Sequence, residues 1–531
     1  MLTIHQSNRL EALVPALARV CTPQLGHPFM PERIVVPNTG MARWLSLALA
    51  DAQGICLNVE FPLPATLVWE LWRKSLPGVP DESTFAPAAM AWRLMELLAD
   101  LGEGAAAPLL AYLDGGDDMR RFELASRIAA AFDQYLVYRP EMVLGWEEGR
   151  CTTDHADEEW QAGLWRSLAG GAGSRHRARL LQDFLVSGAA AADLPERLSV
   201  FGLPALPPAI FQVLRAAAVH ADVHIFLVNP CRGFWMDTLP ERSIARIAGD
   251  QDPADLYLDS GNPLLSSMGG QGRDFLSMVI EEDCRQEDLF EEPEGASLLA
   301  CLQRDILDLE RPGRAGAPKH EVESDDESLQ VRGSYSRMRE VEALHDHLLH
   351  LFDTHPDLDP SDVRVMMPKI DEYAPLIEAV FGAAPENRRI PFAIADLRAR
   401  TESPVIDAFL ALLELPSSRY DAPGVLALLE VEAVRTRFGI TQDDLPRVTE
   451  WVRAAGIRWG VDGASRERLG LPGDEENSWR FGLDRMMFGY AMAGNGRELF
   501  SGILPAGGIE GMDARLMGEL QRFAGAVTGL A

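Results

Sequence analysis

Lysine is nearly absent from this chain of 531 residues, which holds three lysines beside forty-six arginines. A magnesium-dependent DNA-cutting site of the common type needs two acids followed by a lysine on adjacent strands. Lys74 falls in a predicted helix, Lys319 in a segment without apolar periodicity, and Lys369 precedes Asp371 and Glu372 instead of following them. The sequence therefore argues against a nuclease site in this chain.

Cysteine is also scarce, and no two cysteines lie within four residues of each other, which excludes a local zinc or iron–sulfur clip. No run approaches the 18 apolar residues of a membrane span, and the N-terminus lacks the pattern of a secretory signal. We therefore expect a reduced, cytoplasmic protein with no membrane partner. The six cysteines are Cys21, Cys56, Cys151, Cys231, Cys284 and Cys301.

Positive charge is in deficit, with a formal net charge of -31. That balance argues against wholesale wrapping of nucleic acid, but screening over about 10 Å leaves room for a local basic channel. Hydrophobic content of 47% and charged content of 24% are typical of a globular protein. The length predicts two to four domains.

The stretch VVPNTGMARWL, residues 35–45, has the setting of a nucleotide-binding loop but lacks its chemistry. An apolar strand leads through a turn at Thr39 and Gly40 into a helix. A working P-loop needs a lysine and then a hydroxyl after the last glycine. Met41 and Ala42 occupy those two positions. Taken alone, these residues favour an ordinary strand–helix turn, with a degenerate P-loop at Thr39, Gly40, Met41 and Ala42 as the alternative.

Two continuous apolar runs, 198–204 and 223–230, flank a helical pattern that begins near Ile210. Such runs are typical of a parallel sheet covered on both faces, so the first part of the chain is predicted to be α/β. The first run ends in Gly202 and Pro204 rather than in the acid that binds magnesium in an ATPase. Further helices are predicted at 65–74, 88–101 and 119–137, and a capping box at Asn8 and Glu11.

A segment rich in proline, glycine and acids, 311–330, is predicted to be an interdomain linker. Beyond it the alternation of patterns predicts a second α/β region, and from about 403 onward the chain is predicted to be mostly helical. The predicted elements of the second α/β region are a strand at 329–332, a helix at 337–352, a strand at 363–368, a helix at 371–381 and a strand at 390–395.

Histidines and acids cluster in several places, yet their spacing does not favour a metal site. A predicted helix would place His345, His347 and His350 around the flanks of a solvated face, with His355 beyond it. The acids of 157–160 and of 281–283 are interpreted as solvated surface. No metal is expected.

Arginines and aromatic residues are the remaining candidates for chemistry. Two arginine groups stand out, and Trp44 and Trp69 are the aromatic candidates. Arginine suits phosphates and aromatic rings stack on bases, so these residues could form nucleic-acid patches, although their spacing alone favours a solvated helix face and core tryptophans. The groups are Arg175, His176, Arg177 and Arg179, and Arg388, Arg389, Arg398 and Arg400.

Dispersed motifs along the whole chain resemble the RecC family, the gamma subunit of exodeoxyribonuclease V. Family members are about twice this length, and the chain resembles their N-terminal half. In order, the motifs are SNRLEALVPAL, VVPNTGMARWLSLAL, FPLPATLVWELW, FDQYLVYRP, FGLPALPP, NPCRGFW, GNPLLSSMGGQGRDF, REVEALHDHLL, PFAIADLRAR and GIRWGVDG.

The resemblance implies the architecture of a superfamily 1 helicase, with RecA-like parallel sheets, inserted helical subdomains and a degenerate ATP site. By that analogy, residues 1–320 form a first helicase-like domain with a helical insertion and 311–330 form the linker. Residues 330–402 form an incomplete second helicase-like domain, and 403–531 a truncated, mostly helical insertion.

The resemblance also implies a function in double-strand break repair by homologous recombination. A RecC subunit is non-catalytic, splits the duplex and scans the 3′-ended strand for the signal Chi. It binds single-stranded and forked DNA beside RecB-like and RecD-like subunits, which use ATP and magnesium. Two alternatives stay open: an assembly scaffold that does not read DNA, and an active ATP-dependent helicase.

Matched by motif, the family's scanning positions are expected at nine residues, and several depart from the family pattern. Pro37 and Arg43 stand where glutamines are usual, and Ala130 and Ala131 replace an acid and a larger apolar residue. Loss of amide and carboxylate groups is expected to change base discrimination, since each bidentate contact contributes about 1–3 kcal/mol. The nine positions are Pro37, Thr39, Arg43, Leu63, Trp69, Ala130, Ala131, Asp133 and Arg177.

Overall fold

The chain forms two compact units, residues 1–330 and 331–531, in a computed structural model. Each unit is described by itself. The structure describes all residues except 24, 28, 101–106, 154, 156, 172–174, 188–193, 250, 281–283, 314–317, 397–402, 493–498, 509–513 and 530–531.

The first unit is built on a six-stranded sheet with the order β3-β2-β4-β5-β1-β6, in which every paired strand is parallel. The apolar runs predicted as strands are indeed strands, and the α/β class is confirmed. The strands are β1 Leu2–Ser7, β2 Glu32–Val35, β3 Val59–Glu60, β4 Arg197–Phe201, β5 Asp222–Val228 and β6 Arg285–Asp288.

Apolar side chains project from both faces of the central strands, which is why the sequences of those strands are mostly hydrophobic runs. Val200 and Ile225 point into the core on one face, while Phe201 and Phe226 point into the core on the other. The sheet is therefore a buried layer with helices on both sides.

Fourteen helices lie among the described residues of this unit, and the three predicted from periodicity near 65, 88 and 119 are confirmed. They are α1 Leu10–Cys21, α2 Thr39–Gln53, α3 Pro64–Ser75, α4 Pro87–Ala99, α5 Ala107–Leu113, α6 Asp118–Tyr138, α7 Pro140–Glu147, α8 Glu158–Gly171, α9 Arg177–Ser187, α10 Pro208–Ala217, α11 Glu241–Ala248, α12 Pro263–Met268, α13 Gly270–Ile280 and α14 Leu298–Leu307.

The helices between β3 and β4 include a group with a hydrophobic core of its own. Phe85, Phe132, Trp146 and Trp165 are fully buried in it. The rings of Phe132 and Trp165 meet edge to face at 5.4 Å, a geometry that aromatic pairs favour. This part of the chain is a helical insertion in the sheet.

The start of α1 differs from its prediction. Arg9, not Asn8, is the residue that precedes the helix, and no side chain caps it. The Asn8 side chain instead donates to the carbonyl of Glu291 and accepts from its amide. The capping box is therefore wrong, because Asn8 is engaged by a distant loop.

The described residues of the segment 311–330 bond to the helix before it. His320 bonds to the buried carboxylate of Asp305 at 2.8 Å, and Asp326 accepts from the amide of Leu298 at 2.5 Å. Asp326 thus supplies a carboxylate to the first turn of α14, where negative charge is favourable.

The second unit is helical among its described residues, apart from an isolated bridge between Phe500 and Ile503. The predicted helices at 337–352 and 371–381 are present as α15 Arg337–Thr354 and α16 Ile370–Ile377, the latter continued by a π-helical turn to Gly382. The further α-helices are Pro404–Glu414, Ala422–Ala427, Glu432–Phe438, Leu445–Ala454, Gly463–Arg468, Trp479–Ala491 and Ala514–Thr528.

The three strands predicted at 329–332, 363–368 and 390–395 are wrong, since none of these described segments pairs in a ladder. Ile390 packs against Val341 and Phe381 of the helical layer. Val331 and Met366, by contrast, are almost fully exposed. A β-pattern forms a strand only when a neighbour accepts its hydrogen bonds, and these segments have no such neighbour within the described unit.

Among the described residues, no helix is both long enough and apolar enough to cross a membrane.

Candidate nucleic-acid interface

The loop from β2 to α2 places Thr39, Gly40 and Arg43 on the surface and Pro37 half-buried behind them. Asn38 caps the helix: its side chain accepts from the amide of Met41 at 2.8 Å, and its carbonyl accepts from the amide of Ala42. Asparagine is a favoured capping residue because its short side chain reaches an amide of the first turn, here that of Met41.

The sheet reverses its winding direction at this loop. From β2 the chain continues to β3 at one edge, whereas from β4 it continues to β5 on the opposite side. Ligands of open parallel sheets bind in the crevice outside the carboxyl ends of two such strands. The candidate crevice therefore lies between the turn at Thr39 and the end of β4 at Gly202.

The side chain of Met41 partly fills the candidate crevice. Its thioether packs in the same cluster as Leu10 and Phe201. A β-carbon placed on Gly202 would lie 3.3 Å from Met41 Cε and 3.3 Å from Leu10 Cδ1. Gly202 has a φ of +65°, so the end of β4 relies on glycine for its backbone conformation as well.

Leu63 and Trp69 lie beside the same loop, after the neighbouring strand. The amide of Val36 donates to the carbonyl of Pro62 at 3.2 Å, which joins the ends of β2 and β3. Leu63 is exposed where α3 begins. The indole N–H of Trp69 donates to the carbonyls of Pro80 and Asp81, both at 3.1 Å, so its orientation is fixed by the fold.

The remaining predicted positions lie on α6 and α9. Ala130 is exposed and Ala131 half-buried, one turn before Asp133. Arg177, the first residue of α9, donates to Asp133 Oδ1 at 3.0 Å. The structure thus brings the two charged candidates into one ion pair.

The other members of the first arginine group are paired as well. Arg175 binds Asp183 at 3.2 Å, while His176 and Arg179 both bind Glu147 at 2.5 Å. Burial raises the pKa of Glu147, but the hydrogen bonds and charges of His176 and Arg179 outweigh it, and the pKa is lowered. This group is a charge network inside the unit and not a row of free cations.

The second arginine group is described in part. Arg388 binds Asp346 at 2.9 Å and Arg389 is exposed. Arg398 and Arg400 lie outside the described residues, as do the acids of 281–283.

His345 corrects the expectation that the histidines of α15 lie on a solvated face. It is buried, its Nε2 donates to the carbonyl of Arg388 at 3.1 Å, and its ring meets Phe381 edge to face. Within the described parts of the chain, no three ligand-type side chains are close enough to hold a metal ion.

Glu158 corrects the expectation that the acids of 157–160 are all solvated. It is buried and accepts from the indole of Trp146 at 2.8 Å and from the amides of Thr152 and Thr153 at 2.7 and 2.6 Å. Burial raises its pKa, but these hydrogen bonds outweigh that and lower the pKa to about 2. Trp146, twelve residues before Glu158, is the one sequence signal that could have indicated this hydrogen bond.

A polar cluster on β1, β5 and β6 was not anticipated from the sequence. His5 bonds to Glu287 at 2.7 Å through Nδ1 and to His224 at 3.1 Å through Nε2, and Arg19 binds Glu287. Burial is the main reason that the pKa of His224 is lowered to about 4. The two histidines and Glu287 lie in the sheet itself, away from the loops at its carboxyl edge, and Arg19 reaches Glu287 from α1.

Two family descriptions match the chain. The model described as the RecC N-terminal domain matches residues 2–309, and the model described as the fourth domain of the RecBCD enzyme subunit RecC matches residues 402–531. The chain belongs to the RecC family.

Curated relatives agree with that assignment. RecC of Escherichia coli is 38% identical over 98% of this chain and 50% of its own length, and RecC of Haemophilus influenzae is 34% identical over 100% and 52%. RecC of Mycolicibacterium smegmatis is 32% identical over 98% and 49%. The chain spans about half the length of the RecC proteins it matches.

Proposed function

We propose that this RecC-family chain is a non-catalytic DNA-handling part of a RecBCD-type helicase and nuclease complex in recombinational repair. It guides the 3′-ended strand past the β2–α2 loop and the α6–α9 pair, beside RecB-like and RecD-like subunits that use ATP and magnesium. Family membership is the observation that carries this proposal.

The geometry at the carboxyl edge of the sheet supports the absence of ATP chemistry. A P-loop lysine reaches phosphate oxygens from the first turn of its helix. Here Met41 occupies that position and packs in the same cluster as Leu10, while Ala42 supplies no hydroxyl for magnesium. The crevice lies at the switch point of a parallel sheet, where such sheets bind ligands, and we interpret it as a degenerate helicase-like nucleotide site.

The exposed loop residues support a strand path over this edge. Thr39, Arg43 and Leu63 are exposed at the ends of neighbouring strands. A cation, a hydroxyl and apolar surface together suit a single strand, which presents phosphates and unstacked bases. The scanning of a Chi-like signal is part of the proposal, with Pro37 and Arg43 in place of amide readers.

A scaffold without DNA contact is the second candidate, and a specific observation favours it. Arg175, Arg177 and Arg179 each bind a carboxylate inside the unit, so they already have partners. Together with the net charge of -31, this pairing lowers the positive potential that a DNA path needs.

Binding of a labelled fork with a 3′ single-stranded tail, measured from 50 to 300 mM salt, separates the two. Each phosphate contact to a single strand contributes about -0.7 to the slope of log K against log salt. A slope of several units supports the DNA-handling proposal. Absence of binding at 50 mM salt favours the scaffold, and ATP turnover by the purified chain would contradict the non-catalytic assignment.

A further inference from the structure

The helix Pro404–Glu414 in the second unit is apolar on most sides yet poorly covered. Eight of its eleven residues are apolar, but only Ala408 is buried. Val405 is 57% exposed, Phe409 58% and Leu413 62%. A helix that is hydrophobic around most of its circumference normally lies in a protein interior, so this helix lacks part of its surroundings.

One side of the helix forms the wall of an apolar groove of about 390 Å³. The helices 432–438 and 514–528 complete the walls, and Arg437 is the single charged residue in the lining. From helix 404–414 the groove takes Val405, Ala408, Phe409 and Leu412, which share one face at helical spacing. Leu413 is equally exposed and does not line the groove.

The spacing of these residues indicates the shape of the occupant. Positions i to i+7 extend over roughly 10 Å at 1.5 Å per residue, and the whole 11-residue helix extends over roughly 16 Å. An amphipathic helix of about three turns fits such a face with its own apolar stripe. An acidic residue near one end of that helix would meet Arg437.

The length of the family members points to the source of the occupant. The chain covers 50% of Escherichia coli RecC, so the full-length protein has about as much polypeptide again outside the match. Phe523, Ala526 and Val527, in the last turns of the helix Ala514–Thr528, line the groove, so the groove lies within the region that matches the fourth domain.

We propose that this groove binds an amphipathic helix from the half of the RecC polypeptide that lies outside the match. In a full-length RecC the groove is thus an internal interface between the two halves, and its exposed apolar surface is buried when they pack together.

Co-expression of the two halves tests whether the groove is an interface between them. A tagged copy of this chain is produced together with the part of Escherichia coli RecC outside the match, and the co-purifying amount and the mass of the complex are measured. Phe409→Glu places a charge inside the groove, and we expect it to reduce capture at least tenfold. Leu413→Glu is the matched control, because it adds the same charge to an equally exposed leucine on the same helix outside the groove; it should retain capture within twofold.

Thermal melting of both variants shows whether the second unit stays folded, which we expect because neither side chain is buried. Equal capture by Phe409→Glu and wild type, equal loss in both variants, or no capture by the wild-type chain would each overturn the proposal. A dimer of this chain alone that Phe409→Glu dissociates would also overturn it, since the occupant would then be a second copy.

Discussion

Arg177 donates to Asp133 across 3.0 Å and so ties the start of α9 to the middle of α6. The pair is partly exposed, at 33% for the arginine side chain and 27% for the aspartate. Such pairs contribute about 0–1 kcal/mol to stability. Its larger effect is electrostatic, because the carboxylate neutralises the cation that a DNA strand would meet.

Removal of that carboxylate should therefore strengthen DNA binding. We expect Asp133→Asn to tighten single-strand binding and to steepen the salt dependence by about 0.7, the value of one added phosphate contact. Asp183→Asn on α9 frees Arg175, which lies just before that helix, in the same way and is the matched control, with an unchanged slope expected. Equal behaviour of the two variants in a fluorescence anisotropy titration would show that Arg177 has no particular place in the path.

Met41→Lys should not restore a nucleotide site. The lysine would enter a partly apolar cluster, and we expect a loss of about 1 kcal/mol in the free energy of unfolding. Leu47→Lys, at an exposed position of the same helix, should stay within about 0.5 kcal/mol. Thermal melting with and without ATP and Mg²⁺ checks both points; stabilisation of the Met41→Lys variant by nucleotide would mean that the crevice is still a working cradle.

Glu158 should govern part of the acid sensitivity of the helical insertion. Its folded pKa of about 2 lies below the ordinary 4.5, so its contribution to stability is complete above pH 4.5 and is lost as the pH falls toward 2. Glu158→Gln should cost about 2 kcal/mol at pH 7, because an amide nitrogen would then face donors from Thr153, and should flatten the acid limb. Glu159→Gln, at the exposed neighbouring position, should change neither quantity in urea denaturation at pH 7 and pH 3.5.

His224 should affect the stability of the first unit over a higher pH range than Glu158. Its folded pKa of about 4 lies below the ordinary 6.5, so the unfolded chain takes up the proton first as the pH falls. Stability is unaffected above pH 6.5 and decreases between pH 6.5 and about 4. His224→Gln should reduce the difference between unfolding free energies measured at pH 7 and pH 4.5; an unchanged difference would place the proton uptake elsewhere.

The sequence predicts the strands whose residues are mostly apolar and misses the strands that carry several polar residues. β4 and β5 are mostly apolar, but β1 carries His5 and Gln6 inward and β6 has the sequence Arg-Gln-Glu-Asp. Those two strands are stabilised by pairing and by polar contacts such as His5 with Glu287, which no local pattern predicts.

The candidate site shows the same division. A turn followed by the start of a helix is predicted by the residue types of Asn38, Thr39 and Gly40, and the structure has both. Asp133, the partner of Arg177, lies 44 residues earlier in the chain on another helix, and no local sequence pattern predicts that the two side chains meet. Burial of Glu158 likewise depends on Trp146 being brought to it by packing.

Sequence preference tests the expectation that Pro37 and Arg43 stand where family members have glutamines. Arg43 is exposed and Pro37 half-buried in a loop, so Pro37→Gln with Arg43→Gln changes the reading groups at small cost to stability. If these positions contact bases, the double variant should shift the relative affinities for a panel of 3′-tailed forks by fivefold or more, since one bidentate contact contributes about 1–3 kcal/mol. Arg127→Gln, an exposed arginine on α6, is the control for the lost charge and should weaken all forks equally. A double variant that also weakens all forks equally would mean that Arg43 contacts phosphate alone and that the loop guides the strand without reading it.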